Sequence, residues 1–322
     1  MPHFDLPLSA LQTYRPEVRE PADFDEFWDA TIREARVAAS DPTIDRVETP
    51  LTTLDVFDVT FSGFAGDPVK AWLTVPKNAD GPLPAVVEFN GYGGGRGLPV
   101  ERLAWASAGY AHLFMDTRGQ GAGWGSGGAT SDPHGTSSGH PGSMTRGIED
   151  PSDYYYRRVF ADAVRAVDTA RSLPVVDASR VAVCGASQGG GIALAAGALS
   201  GDLVAVMPDV PFLCHFERAV GLTDENPYHE IVRYLSVYRG REERVFETLS
   251  YFDGVNMAKR ITAPALFSVG LMDPVCPPST VYAAFNHCAA SDKDIAVYNF
   301  NQHEGGAVYQ WVRQAEFLSS RA

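Results

Sequence analysis

The stretch Val181-Ala182-Val183-Cys184-Gly185-Ala186-Ser187-Gln188-Gly189 decides the fold. Four apolar residues, typical of a strand buried on both faces, lead into a Gly-x-Ser-x-Gly pentapeptide, and small residues continue as far as Leu199. The pentapeptide alone also occurs by chance in Gly-rich loops. Here a strand pattern precedes it and a helix pattern follows it, which predicts a sharp turn with Ser187 at its apex and a nucleophile held at the end of a sheet.

The N-terminal third predicts a helix and then a hairpin. Asp23 to Ala39 has an amphipathic helical pattern, with Asp23 in the N-cap position and Glu26 three residues later. Strand patterns at 57–62 and 69–75 are separated by the turn residues Gly66-Asp67-Pro68. The chain therefore enters its sheet with antiparallel strands.

Short, continuous apolar runs follow, as expected for parallel strands covered on both faces. They are Ala85 to Phe89, Ala111 to Met115, Val181 to Cys184, Val204 to Met207, Ala265 to Val269 and Ile295 to Tyr298. Helical patterns, notably Tyr154 to Ser172, lie between most of them. The order predicts an α/β-hydrolase fold, with a mostly parallel eight-stranded sheet flanked by helices.

Composition and charge exclude several classes of protein. The 26 basic and 40 acidic residues give a net charge of −14, so we expect no nucleic-acid partner. Met1 to Ala10 lacks the features of a signal peptide, and no apolar run reaches membrane-spanning length, so we expect a cytoplasmic protein without membrane contact. The four cysteines lack metal-site spacing and are predicted to be buried thiols, and we expect no metal or cofactor.

No linker divides the chain, so residues 1–322 are predicted to form one domain with a helical extension at 1–50. Gly119 to Gly142 is Gly-rich but has aromatic and apolar neighbours, which indicates a long ordered loop.

A serine nucleophile needs a base and an orienting acid, which follow it in this fold in the order acid, histidine. Among the histidines after Ser187, only His303 lies in a polar, Gly-bounded loop directly after a predicted core strand; the others are His215, His229 and His287. Asp273 follows the strand that precedes the histidine's strand, and we favour it as the acid over its rival Asp209. Glu304 is expected to have a structural role.

An oxyanion hole needs two backbone N–H groups, one from the residue after the serine and one from an earlier loop. Gln188 supplies the first by position. The loop Asn90-Gly91-Tyr92-Gly93-Gly94-Gly95 supplies the second, with Tyr92 as the donor. These glycines lack the lysine of a phosphate-binding loop, which argues against a nucleotide site.

These motifs together resemble carbohydrate esterase family 7, the acetyl xylan esterases also called cephalosporin C deacetylases. The resemblance covers nearly the whole chain. It rests on Asp23 to Trp28, Gly91-Tyr92, Arg118-Gly119-Gln120, Gly185 to Gly189, His303-Glu304, Tyr154 to Phe160 and Asp209 to Cys214. Asn90 stands where some members have histidine, a position that varies.

The resemblance implies a serine esterase that removes acetyl groups from small substrates, chiefly acetylated xylo-oligosaccharides and cephalosporin C, and that assembles as a cytoplasmic homohexamer. The residues alone lead only to a serine hydrolase of esters or amides. A broad short-chain carboxylesterase or peptidase of the same fold stays open, as does a non-catalytic binding protein, although the ordered serine, aspartate and histidine argue against the last.

Three further interpretations concern the surroundings of the site. Arg118 and Gln120 are expected to order the loops around it, with a solvent-exposed arginine as the alternative. Residues 213–260 are expected to form a lid-like insertion. Tyr92, Phe212 and Pro227 are candidate walls of a small acyl pocket, or else ordinary core or turn residues.

Overall fold

A single twisted sheet runs through the computed structural model, which describes residues 3–135 and 142–322. Its strands lie in the order β1-β2-β3-β5-β4-β6-β7-β8-β9. The strands are β1 (Thr43–Val47), β2 (Leu54–Ser62), β3 (Pro68–Pro76), β4 (Leu83–Phe89), β5 (Ala111–Met115), β6 (Val176–Ala186), β7 (Ala205–Asp209), β8 (Ala265–Gly270) and β9 (Lys293–Tyr298). The pairs β1–β2, β2–β3 and β3–β5 are antiparallel. The pairs β5–β4, β4–β6, β6–β7, β7–β8 and β8–β9 are parallel.

The α/β-hydrolase prediction is confirmed, but the described sheet has nine strands rather than eight. The additional strand is β1, which pairs with β2 at the edge of the sheet. Its first four residues are exposed, so it lacks the apolar alternation that marks a half-buried strand.

Helices cover both faces of the sheet. Within the described residues they are α1 (Leu8–Leu11), α2 (Phe24–Val37), α3 (Ala104–Ser107), α4 (Tyr155–Ser172), α5 (Gln188–Leu199), α6 (Phe216–Leu222), α7 (Tyr228–Val237), α8 (Glu242–Ser250), α9 (Gly254–Ala258), α10 (Pro278–His287) and α11 (Ala307–Ser319). The larger core lies on the face covered by α2, α4 and α5, and a smaller core beneath α3 and α11 contains Trp105 and Leu318. In the described ranges, none of these helices has both the length and the apolar character that crossing a bilayer requires.

The helix predicted from Asp23 to Ala39 is α2, and it buries Phe24, Trp28 and Ile32 on one stripe. Asp23 does stand at the N-cap, yet its side chain makes no capping hydrogen bond. It accepts a hydrogen bond from the Tyr251 hydroxyl instead, at 2.6 Å. A tertiary contact has replaced the local cap.

Three predicted segments can be followed in the structure. The first 50 residues contain α1 and α2 but also β1, so their described part is not purely helical. Residues 213–260 contain α6 to α9, between β7 and β8. In the predicted loop from Gly119 to Gly142, residues 136–141 lie outside the described part of the chain. All four cysteines are buried free thiols, as predicted.

Candidate active site

Ser187 lies at the sharp turn between β6 and α5. Its backbone has φ 58° and ψ −121°, a conformation that costs a non-glycine residue of order 1–3 kcal/mol. The turn is held by the Ser187 N–H, which donates to the Asp209 carbonyl at 3.0 Å. A Cβ on Gly189 would lie 2.2 Å from the Phe89 carbonyl oxygen, so only glycine fits there. The pentapeptide therefore has the strand, turn and helix that its sequence predicts.

His303 connects Ser187 to Asp273. Its Nε2 lies 2.9 Å from the Ser187 Oγ, and its Nδ1 lies 2.8 Å from the Asp273 Oδ2. Asp273 is fully buried, and its Oδ1 accepts from the backbone N–H groups of Val275 and Cys276 at 2.8 and 3.0 Å. The carboxylate is therefore fixed on both sides, and a proton can pass from the hydroxyl to the imidazole.

The rival residues lie elsewhere. Asp209 ends β7 with its Oδ2 accepting from Gln314 of α11 at 2.8 Å, and burial raises its pKa to about 7. His215 precedes α6, where burial lowers its pKa to about 4. His229 and His287 lie in α7 and α10. The structure thus brings together the three residues that the sequence favoured.

The loop after β4 lies beside Ser187. Within the described residues, the backbone N–H groups of Tyr92 and Gln188 have no hydrogen-bond partner, as an oxyanion hole requires. Asn90 shapes the loop by donating from Nδ2 to the Gly95 carbonyl at 2.8 Å. The Trp124 indole donates to the Tyr92 carbonyl at 2.7 Å and so holds the loop from outside.

Gln120 joins the two sides of this arrangement. Its Oε1 accepts from the Gly93 N–H at 2.7 Å, while its Nε2 donates to the Gln188 Oε1 at 2.8 Å and contacts the Tyr155 hydroxyl at 3.0 Å. Gly93 follows Tyr92 directly. One side chain therefore sets the spacing between the two residues whose amides face the serine.

Arg118 is completely buried, so the solvent-exposed alternative is wrong. Its Nε and Nη2 donate to Asp162 at 2.5 and 2.7 Å, and its Nη1 reaches Asp67 and Asp132 at 3.0 and 3.4 Å. Burial alone would lower the pKa of Arg118, but the three aspartates raise it, so the charge is retained. Its carbonyl accepts from the Tyr155 hydroxyl, the same group that contacts Gln120.

A cavity of about 440 Å³ opens beside Ser187. Tyr92 and Pro227 line it, as predicted. Phe212 does not: it is fully buried behind the Tyr92 ring, at a centroid distance of 6.4 Å, and packs 4.3 Å from the Tyr228 ring. The wall predicted for Phe212 is therefore wrong, because its ring supports Tyr92 instead of reaching the cavity.

Other lining residues were not identified from the sequence. Trp124, Asn226 and Val275 come from three separate loops, and Glu88 and Arg102 add an ion pair at 2.8 Å. The signal for Trp124 is a large aromatic residue in a Gly-rich loop, half exposed although apolar. The others have no local signature, because only the tertiary fold brings their loops together.

Glu230, in the first turn of α7, binds the Tyr92 side chain. The Tyr92 hydroxyl donates to both carboxylate oxygens at 2.9 Å and accepts from the Ser143 N–H at 2.8 Å. Burial raises the pKa of Tyr92, and the Glu230 charge raises it further; burial also raises the pKa of Glu230. The hydroxyl therefore stays protonated and ties the insertion to the loop after β4.

One group of potential metal-ligand atoms is found in the described ranges. It consists of Asp273, Cys276 and His303, whose ligand atoms lie within 4.8 Å of one another. Burial raises the pKa of the Cys276 thiol well above its ordinary value. Asp273 and His303 already bind each other. The group is better explained by proton transfer from Ser187 than by a metal.

The chain is similar to known proteins over almost its whole length. The family model described as acetyl xylan esterase (AXE1) matches residues 1–321. The acetyl esterase Axe7A of Xylanibacter ruminicola is 30% identical over 309 residues, covering 90% of this chain, while the chain spans 65% of that relative's length.

Two solved structures are similar over almost the whole chain. The acetyl xylan esterase from Paenibacillus sp. R4 has 42% identity and a TM-score of 0.93, covering 98% of this chain and all of that one. Acetyl xylan esterase 1 from Thermoanaerobacterium sp. JW/SL YS485 has 34% identity and a TM-score of 0.91, covering 99% of this chain and all of that one. The resemblance noted in the sequence is confirmed, and the chain belongs to the acetyl xylan esterase family.

Proposed function

We propose that this protein is a carboxylic ester hydrolase that removes acetyl groups from small substrates. The observation that carries the proposal is the chain of contacts from the Ser187 Oγ through His303 to Asp273, at 2.9 and 2.8 Å, beside an open cavity. A histidine placed in this way can take the serine proton and return it to a leaving group.

The proposed reaction has two steps. His303 takes the proton of Ser187 as the Oγ attacks the acetyl carbonyl, while Asp273 stabilises the imidazolium that forms. The amides of Tyr92 and Gln188 stabilise the oxyanion, and loss of one such donor typically costs about 100- to 1,000-fold in rate. The alcohol leaves with the proton from His303, and a water molecule activated by the same histidine then releases acetate.

The names of the relatives support acetylated sugars as the substrate class, and we propose acetylated xylo-oligosaccharides, with cephalosporin C as a further substrate. A cavity of about 440 Å³ suits a small alcohol group. We expect residues 213–260 to act as a lid, because they place Pro227 on the cavity wall and Glu230 on Tyr92.

We further propose a cytoplasmic homohexamer. Four free thiols are typical of proteins in a reducing compartment. Self-association would cover Phe300, Val308 and Tyr309, which lie in the loop of His303 and at the start of α11 with more than 70% of their surface exposed. A sizing measurement by light scattering tests the assembly, and a monomer at micromolar concentration would contradict it.

Hydrolysis of 4-nitrophenyl esters tests the proposed activity. We expect acetate to be cleaved, with rates falling steeply as the acyl chain lengthens, and Ser187→Ala to abolish turnover without changing the thermal melt. Equal rates on acetate and octanoate would indicate a broad carboxylesterase instead. Turnover that survives in Ser187→Ala would refute the proposed nucleophile, and acetate release from acetylated xylo-oligosaccharides and cephalosporin C would rank the substrates.

A further inference from the structure

The cavity beside Ser187 has a charged wall that the proposed reaction does not use. Arg102 and Glu88 line it together with Ser187 and His303. They are the two lining residues with a permanent charge. An ion pair at this position can influence which alcohols the cavity accepts.

The Arg102 guanidinium is held on one edge only. Its Nη1 donates to the Glu88 Oε1 at 2.8 Å, and its carbon atom lies 4.6 Å from the centroid of the Phe114 ring. Within the residues that the structure describes, Nε and Nη2 have no hydrogen-bond partner, and the side chain is 39% exposed. The unoccupied edge, Nε with Nη2, is a planar fork of the kind that binds a carboxylate in a bidentate manner.

Glu88 is the more deeply placed member of the pair. Its Oε2 lies 3.0 Å from the His112 Nε2, and the His112 Nδ1 donates to the Arg102 carbonyl at 3.2 Å. Burial alone would raise the pKa of Glu88, but His112 and Arg102 lower it below its ordinary value, so the group is ionised. With Oε1 bound to Arg102, Oε2 beside His112 and only 15% of the side chain exposed, Glu88 orients the guanidinium and contributes less of the cavity surface than Arg102 does.

We propose that Arg102 is a binding subsite for a carboxylate on the alcohol part of the substrate. The inference rests on the proposed function: an acetyl group has no position for a charge, so an anion in the cavity must belong to the alcohol. The reaction would convert an acetylated hydroxy acid and water into acetate and the free hydroxy acid. The ester C–O bond breaks, and the departing oxygen takes its proton from His303. Acetylated sugars that carry an acid group have this chemistry.

A pair of matched esters tests the subsite: 4-acetoxybenzoate, which is an anion, and 4-acetoxybenzamide, its neutral analogue. We expect Arg102→Gln to lower the ratio of their kcat/KM values on the order of 10-fold, as for a charge-assisted bidentate pair in a partly exposed site. Arg102→Lys keeps the charge without the fork and should give an intermediate ratio. Arg46→Gln is the control, because Arg46 is exposed on the edge strand β1 and pairs with Asp55.

Inhibition of the wild-type enzyme gives a second measurement, which does not depend on whether a substituted protein folds. Benzoate should inhibit hydrolysis of 4-nitrophenyl acetate more strongly than benzamide, and added salt should weaken benzoate alone. If both esters are cleaved but their ratio is unchanged in Arg102→Gln, or if benzamide inhibits as well as benzoate, the subsite is refuted while the proposed function stands. If no acetyl ester is cleaved, it is the proposed function that fails.

Discussion

Replacing Gln120 by leucine should impair catalysis more than it impairs folding. Gln120 occupies the point where the Tyr92 loop meets Gln188, through contacts of 2.7 Å to the Gly93 N–H and 2.8 Å to the Gln188 side chain. Leucine has a similar size but neither donates nor accepts hydrogen bonds. The Gly93 N–H and the Gln188 amide would lose this partner inside the protein.

The magnitude follows from the contacts that are lost. A group left without a partner inside a protein costs about 1–3 kcal/mol. The Gln188 side chain keeps its contacts with the Tyr156 hydroxyl and the Asn90 carbonyl, so the Gly93 N–H is the group that loses its partner. The free energy of unfolding should therefore fall by about 1–3 kcal/mol. The effect on rate is separate. Since Tyr92 precedes Gly93, a shift of this loop moves a proposed oxyanion donor, and a misplacement of about 1 Å can cost 100-fold. We expect kcat to fall about 100-fold with KM nearly unchanged, because Gln120 does not line the cavity.

The assay is steady-state hydrolysis of 4-nitrophenyl acetate beside a urea unfolding curve. Gln314→Leu is the control, because Gln314 is a buried glutamine that donates to Asp209 at 2.8 Å, but it lies on α11 away from the loop of Tyr92. It should lose stability and keep its kcat. The role assigned to Gln120 would be refuted if Gln120→Leu kept the kcat of the wild type, or if its kcat fell no further than that of Gln314→Leu.

Three further predictions follow from the site and the turn. Asp273→Asn should lower kcat on the order of 10⁴-fold with little change in the melt, since an amide favours the wrong tautomer of the catalytic histidine; a loss below 10-fold would contradict its role. Burial raises the pKa of Asp209 to about 7 from 3.8, so its contribution to stability is present below pH 4 and is lost as the pH rises to 7. The unfolding free energy of Asp209→Asn relative to the wild type should therefore increase between pH 4 and pH 7, and a constant difference would be evidence against it. Gly189→Ala places a Cβ 2.2 Å from a backbone oxygen and should lower the free energy of unfolding by about 3 kcal/mol or more. In the control Gly221→Ala the new Cβ has no atom within 4 Å, so the urea midpoint should stay unchanged or rise. Equal urea midpoints for the two variants would show that the turn can relax.

The elements that the sequence predicted correctly are those with short-range causes. The buried strands are continuous apolar runs, and β5 was predicted with its observed bounds, Ala111–Met115. The turn at Ser187 is specified by the residues on either side of it. Strand β1 was missed because Thr43–Val47 is exposed at the sheet edge and has no apolar alternation. Its position depends on pairing with β2, which is not visible in its own residues.

The parts of the site that the sequence did not predict depend on distant residues. Arg118 is buried because three aspartates surround it, at positions separated by up to 95 residues, from Asp67 to Asp162. Trp124 and Arg102 line the cavity from different loops, where no periodic pattern applies. Asp23 is a further example. The sequence predicts its N-cap position correctly, but its side chain accepts a hydrogen bond from Tyr251, 228 residues away, and does not cap the helix.

The choice between Asp209 and Asp273 has a geometric basis that the order of strands alone does not supply. Asp209 is the last residue of β7, pairs in register with Ala186, and is therefore restricted to a face of the sheet, where it meets Gln314 of α11. Asp273 lies three residues beyond the end of β8, so its loop can turn the carboxylate across the edge of the sheet toward His303. The backbone at position 209 is also held in place, because its carbonyl accepts from the Ser187 N–H. Asp209 therefore cannot replace Asp273 as the partner of His303, although its carbonyl accepts a hydrogen bond from the Ser187 N–H.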